Sequence, residues 1–420
     1  MIGLARRRNV LGRVLHTAAV YSFGDGSNGA LGQPHSFTND SFEPAPVPDL
    51  PPSIARVACG HYHSLALTQS GELWAWGRNN EGQLGRGEKS ILSAATITPQ
   101  RVRGMESTRV RAAAGSGVVS MAICEDGSLW SWGSSKRGQL GLGLGVTRSL
   151  LPQKIHALAG KSVLQVSLGW GHALACTMDG ELFSWGYHDS GRLGYLLPQD
   201  QPSMIQPSKN TLDRNDVGEK MLMEQLRKED APILQWEPKL VELPEPCKII
   251  QVACGLDHSL ALSESGLLFS FGDNSTDQLG REITEDSPII SRVGGDLEGK
   301  QVVAIGAGWG HSLAVERCSR AAYTWGWSSG SQLGRSGPSS VPKKLEELDD
   351  PVVSVAGGRV HSLALTSKHQ VWTWGCGRNG RLGLGSSRDE NLPVLVDSLE
   401  EHAEVIDVCC GYDHSLLLAR

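Results

Sequence analysis

The stretch Leu73-Trp-Ala-Trp-Gly-Arg-Asn-Asn-Glu-Gly-Gln-Leu-Gly85 constrains this chain more than any other feature, because varied copies of it recur from one end to the other. The copies are Tyr21–Gly32, Trp74–Gly85, Trp130–Gly141, Phe183–Gly194, Phe269–Gly280, Tyr323–Gly334 and Trp372–Gly383. Each opens with two rings one residue apart. A glycine follows the second ring (Gly77, Gly133, Gly186, Gly272, Gly326 and Gly375 after the first copy), and a Leu-Gly closes the piece at Gly85, Gly141, Gly194, Gly280, Gly334 or Gly383. Strand alternation puts both rings on one face. Burying one such ring removes roughly 150–250 Å² from water, worth up to ~4–6 kcal/mol before entropy. The glycine lets the backbone turn or approach a neighbour where a side chain would not fit. Leu84 should tuck its loop onto the core.

A second piece lies upstream of each ring pair: Val57-Ala-Cys-Gly-His-Tyr-His63-Ser-Leu-Ala-Leu67, with partners at His172, His258, His311, His361 and His414. One copy carries Val119 instead of the histidine. A third piece is a proline with apolar residues close behind it, as in Pro46-Val47, Pro152…Ile155 and Pro393-Val394. Three or four short strands per unit follow. The units repeat at intervals of about 50 residues, the spacing of a propeller blade. One interval is longer by about 33 residues, an insertion. The chain opens with a ring piece lacking its histidine piece and closes with the reverse, so the two ends complete one unit. The expected fold is all-β, a seven-bladed propeller closed by pairing of N- and C-terminal strands, which hides the edges an open sheet would expose.

These residues resemble the regulator-of-chromosome-condensation repeat family, from about Val20 to the last residue. The Gly-x-x-His-Ser and Trp-Gly…Gly-x-Leu-Gly grammar carries the resemblance, and the chain looks like an organellar plant-type member. The resemblance implies a propeller whose relatives are nucleotide-exchange factors, light sensors and assembly adaptors. Fold therefore leaves function open.

The net charge of −6 argues against a general nucleic-acid surface, so no direct nucleic-acid binding is expected. Nine cysteines form no Cys-x-x-Cys pair, and Cys59, Cys254, Cys409 and Cys410 take strand positions that other copies fill with small residues. Buried thiols in a reducing compartment are expected. No apolar run is long enough to span a membrane. Residues 1–18 carry Arg6, Arg7, Arg8 and Arg13 among apolar residues with no acid, as an organelle import sequence does. This points to mitochondria, with nucleus or cytoplasm as the alternative, and to residues 19–420 as the propeller. The insertion at about 196–236 contains a candidate helix, Val217–Lys228, capped by Asn215 or Asp216, whose apolar side includes Met221, Leu222 and Leu226. It should dock on the propeller or on a partner.

Six histidines at one phase of a ring belong to the ring's structure, through a hydrogen bond from each imidazole to backbone of an adjacent strand or blade. Neither catalytic residues nor a cofactor or metal site are read here. Gly294…Gly299-Lys300 falls short of a phosphate loop because Gln301 stands where Ser or Thr must reach magnesium. It and Gly160-Lys161 read as inter-strand turns. Loop residues just before the histidines are the candidate partner contacts: Trp170, Asp257, Trp309, Arg359, Tyr412 and Asp413. Three readings follow. The first is a non-enzymatic scaffold for organellar protein assembly; by the resemblance, organellar members serve RNA processing or complex assembly. The second is a guanine-nucleotide exchange factor, in which acids near one face compete with a small GTPase's phosphates or attract its magnesium. The third is kinship with the plant ultraviolet-B receptor, in which arginines pack on Gly-Trp-Arg-His tryptophans. Here Gly171 and Gly310 replace that arginine, so the cation–π partner is expected to be missing locally.

Overall fold

The structure, a computed structural model, describes residues 18–34, 40–196, 234–281, 287–399 and 403–420. Seven four-stranded antiparallel sheets stand around a central channel. Their innermost strands are Ile54–Cys59, Val110–Gly115, Val163–Leu168, Ile249–Cys254, Val302–Ala307, Val352–Gly357 and Val405–Cys410, which define blades 1 to 7. Each next strand starts at the histidine phase, the third carries the ring pair, and the outermost carries or directly follows the repeat proline. Proline suits that edge because it has no N–H to donate to a ladder.

Blade 7 is composite. Val405–Cys410 and His414–Ala419 from one terminus pair with Ala19–Gly24 and Ser41–Pro46 from the other. Val20 faces Leu418 and Gly24 faces His414 across that seam. Blade 3 ends on Leu234–Leu240, so Leu234, Gln235 and Trp236, expected in the insertion, belong to a strand. The candidate helix with Met221, Leu222 and Leu226, and the import-like segment up to residue 17, lie outside the described residues.

Seven apolar layers, one per joint between blades, form the core. Each ring pair faces the preceding blade: Trp76 lies with Val20, Leu416 and Leu418, and Trp132 with Leu65, Leu67 and Ala75. Trp76, Trp132, Trp185, Trp325 and Trp374 are wholly buried. Each indole N–H donates across the joint to a carbonyl of the preceding blade's Gly-x-Leu-Gly arc: Trp76 to Ala30, Trp132 to Gln83, Trp185 to Gln139, Trp325 to Gln278 and Trp374 to Gln332, at 2.9–3.0 Å. The closing glycine is where that ring lies, since a Cβ at Gly85 would stand 2.8 Å from Trp132 Nε1. Gly77 faces His63 across the ladder at φ +109°, where a Cβ would meet backbone at 2.8 Å.

The histidines tie blade to blade, with one correction to expectation. Their partner is a serine hydroxyl, not backbone. His63 Nε2 lies 2.7 Å from Ser120 Oγ, and His172, His258, His311, His361 and His414 reach Ser259, Ser312, Ser362, Ser415 and Ser64 at 2.9–3.1 Å. Ser120, Ser259, Ser312, Ser362 and Ser64 pass the bond on, each donating to a carbonyl of the preceding blade's arc. The hydroxyl is thereby committed as a donor, so its oxygen accepts from Nε2–H. Burial holds these imidazoles neutral, with His63, His258 and His311 lowered to about 3 and His414 to about 4.

The Gly-Lys pairs lie in turns between strands, as expected, and the strands they join belong to successive blades. Each follows a short 3₁₀ turn, His156–Leu158 or Gly295–Leu297, that leads from an outermost strand to the next innermost one. Lys161 Nζ pairs with Glu181 at 2.7 Å, and Lys300 Nζ donates to Tyr323 Oη at 2.7 Å.

Candidate docking face

The loops before the histidine phase gather at one mouth of the channel. In chain order their first residues are His61, Gly117, Trp170, Leu256, Trp309, Arg359 and Tyr412. Backbone bonds link them blade to blade: Tyr412 N–H donates to His61 O, Arg359 N–H to Tyr412 O, and Leu256 N–H to Trp309 O, at 3.0–3.1 Å. This inner ring is therefore a rigid platform.

Its side chains form a continuous aromatic surface. Gly117 has no side chain, so His61 of blade 1 reaches over it and stacks on Trp170 of blade 3, with centroids 5.7 Å apart and planes within 9°. Tyr412 touches His61, Tyr62 and Trp309 at 5.2–5.9 Å, and Trp309 meets Trp327 edge to face at 6.2 Å. Trp170 remains 36% exposed, whereas Trp309 and Tyr412 are half-buried. Burial lowers His61 to about 4, so it stacks as a neutral ring.

Gly171 and Gly310 supply no cation to the tryptophans beside them, and tertiary structure brings arginines from other blades instead. Arg137, from a loop of blade 2, lies 5.5 Å from both Trp170 and Tyr187. Arg359 covers Tyr412 at 4.7 Å and Trp309 at 6.0 Å, and Arg78 covers Tyr62 at 5.2 Å. The reason is geometric: Arg137 and Arg359 reach over rings of adjacent blades, and Arg78 reaches Tyr62 from a neighbouring loop of its own blade. Arg78, Arg137, His61, Tyr62, Tyr187 and Trp327 went unselected in the sequence reading. For Arg78, Tyr187 and Trp327 the signal was available in their place just after a ring-pair glycine, and for His61 and Tyr62 in the loop before His63.

The two candidate acids are engaged inside the ring. Asp257 pairs with Arg192, and Asp413 with Arg381 at 2.8 Å and with Arg359 at 2.7 Å. Arg192 and Arg381 are almost fully buried. They replace the glutamine of the Gly-Gln-Leu-Gly arcs, and in both cases the next blade carries Phe271 or Phe23 where the other blades have tryptophan. At these two joints an arginine–aspartate pair stands in for the indole N–H bond. Burial raises both carboxyls, against the opposing pull of Arg192 on Asp257 and of Arg381 and Arg359 on Asp413. Their charge is spent on the joints, and with Arg359 paired to Asp413 and Arg78 to Glu81 the face is chiefly aromatic. Among the described residues no cluster of His, Cys, Asp or Glu could hold a metal ion.

A family model described as an RCC1-like domain matches residues 19–417. The chain belongs to the RCC1-like family. Among RCC1-like relatives, the ultraviolet-B receptor UVR8 of Arabidopsis thaliana is 33% identical over 385 residues, covering 90% of this chain and 78% of that protein. The mitochondrial RCC1 domain-containing protein RUG3 of the same plant is 30% identical over 435 residues, covering 96% of this chain and 88% of that protein. Among solved RCC1-like structures, Prp20p of Saccharomyces cerevisiae superposes with a TM-score of 0.78 at 23% identity, covering 96% of this chain and 92% of that one, a likeness of fold. No helix among the described residues is long and apolar enough to cross a membrane.

Proposed function

We propose that this RCC1-like propeller is a non-enzymatic scaffold that docks protein partners on its arginine–aromatic face, in the mitochondrion, in support of organellar RNA processing or complex assembly. The observation that carries the reading is the mouth itself. Trp170, Trp309, Tyr412 and His61 form a preorganised aromatic platform, with Arg137, Arg359 and Arg78 set over its rings. Aromatic and arginine side chains are the residues that dominate protein interfaces. Rings locked by neighbouring blades lose little entropy on binding. With Asp257 and Asp413 tied to arginines, the face suits a partner segment bearing apolar or aromatic groups, with a carboxylate placed for Arg137. The acid-free, arginine-rich first residues and the mitochondrial relative support the location. In this reading Met221, Leu222 and Leu226 of the insertion offer a second contact.

Two experiments test it. A fluorescent fusion of residues 1–30 should enter mitochondria, and its exclusion would remove the location. Capture from isolated mitochondria should return a defined partner set that Arg137→Ala with Trp170→Ala abolishes while the melting temperature stays unchanged. The exchange-factor alternative requires acids free to act on a GTPase. Purified protein that speeds nucleotide release from a small GTPase, and loses this on Asp257→Asn or Asp413→Asn, would overturn the scaffold. The light-sensor alternative would show as an ultraviolet-dependent change in oligomeric state that Trp170→Phe or Trp309→Phe removes.

A further inference from the structure

The channel wall holds chemistry that the docking face does not use. Cys59 ends the innermost strand of blade 1, Cys409 lies in that of blade 7, and their Sγ atoms are 2.8 Å apart. Both thiols are half-buried and line a central cavity of about 260 Å³. A disulfide bond is about 2.05 Å long, so these sulfurs can join through small side-chain rotations.

The pair occupies one particular joint. The residue two places before the repeat glycine of one blade faces the residue directly before it on the next blade. At blades 3 and 4 these are Ser167 and Cys254, where the Cys254 N–H donates to Ser167 Oγ at 3.0 Å. The same two places hold Ala58 and Gly115, Ala253 and Ala307, or Gly306 and Gly357 at other joints. Two thiols meet only between blades 7 and 1. That is also where the ring depends on a seam. The strands of blade 7 from the C-terminus are held to those from the N-terminus by noncovalent contacts alone, ladder hydrogen bonds and apolar packing. A bond from Cys59 to Cys409, 350 residues apart in sequence, would tie that half-blade covalently to blade 1.

We infer that Cys59 and Cys409 are a redox clasp of the ring, closed by a peroxide small enough to enter the channel. The Cys59 thiolate attacks one peroxide oxygen and breaks the O–O bond, giving a sulfenic acid and, after proton uptake, one water. The Cys409 thiolate then attacks the Cys59 sulfur, the S–S bond forms, the S–O bond breaks, and the hydroxide leaves as a second water. Two thiols and one hydrogen peroxide become one disulfide and two waters, with two electrons passing from sulfur to oxygen. A small dithiol reverses the step by exchange. Burial raises both thiols, so closure should quicken as pH rises above neutrality. The two sulfurs are equivalent in this scheme, and attack by Cys409 first gives the same product.

The test uses the full chain, fully reduced and then treated with one equivalent of hydrogen peroxide. Remaining thiols are alkylated and the digest is read by mass spectrometry without reduction. The expected product is a Cys59–Cys409 linked peptide pair, two hydrogens lighter than the separate peptides, with a melting temperature raised by several degrees and restored by dithiothreitol. C59S and C409S should each abolish that shift, and C410S should keep it. Recovery of Cys59 and Cys409 as alkylated thiols or as sulfinic acids would overturn the clasp, as would a shift that survives in C409S. Should a variant fail to fold, the linked peptide in the unmodified chain decides the matter.

Discussion

Arg381 of blade 6 reaches Asp413 of blade 7 at 2.8 Å, an ion pair across a joint where the arginine side chain is almost wholly hidden from water. Removing Asp413 leaves Arg381 buried and uncompensated, which typically costs about 3–5 kcal/mol, whereas Asp413 without Arg381 keeps its pair with Arg359. Asp413→Asn should therefore lower the chemical-denaturation free energy strongly, and Arg381→Ala by less. Arg359→Ala, at a partly exposed site, should lower it far less. Rebuilding the joint in the style of blades 4 and 5, with Gln, Trp and Gly as at Gln278, Trp325 and Gly310, gives the triple variant R381Q/F23W/D413G. It should recover much of the loss, and a triple no more stable than R381Q alone would show that the two joint chemistries are not interchangeable.

Val119 and Ala173 are the apolar counterpart of one missing histidine–serine bond. Both are wholly buried in the same layer between blades 2 and 3, at the two places where six other joints carry the imidazole and its hydroxyl. Val119→His alone would bury an imidazole without a partner, at about 1–3 kcal/mol. Adding Ala173→Ser supplies the partner. A double-mutant cycle in urea should show favourable coupling of about 0.5–3 kcal/mol, and additive effects would mean the two positions do not meet.

Acid should unfold the ring early. His63, His258 and His311 are held to about 3, and His61 and His414 to about 4, all by burial, against an ordinary 6.5. Between those values the unfolded chain binds protons that the folded chain refuses. Stability then rises with pH, and it falls on acidification by up to ~1.4 kcal/mol per pH unit for each such ring. Asp257, Asp407 and Asp413, raised by burial, act in the opposite direction but are fewer. The urea midpoint should drop steeply from pH 7 to pH 5, and an unchanged midpoint would mean these rings are already charged.

Deleting the strand His414–Ala419 should open the ring. That strand supplies the whole ladder to Ala19–Gly24, together with Leu416 and Leu418 of the layer under Trp76. Thermal unfolding should lose its single cooperative transition, and intrinsic tryptophan emission should shift to the red as the Trp76 pocket is wetted. A truncated chain that melts like the parent would contradict closure by this seam.

The repeat made the ring legible from residues alone. Paired rings, a glycine after them and a histidine upstream are all local in sequence, and copies in phase must occupy equivalent places in space. The same logic assigned the two ends to one blade. It also located the face, because every loop before a histidine emerges at the same end of its strand. Tertiary structure decided what those loops do. Arg137 lies over Trp170, His61 stacks across Gly117, Asp413 is claimed by Arg381, and Cys59 meets Cys409 only because neighbouring blades bring them together. A propeller makes its joints between copies, so the partner of a residue is set by the sheet packed beside it, tens to hundreds of residues away in the chain.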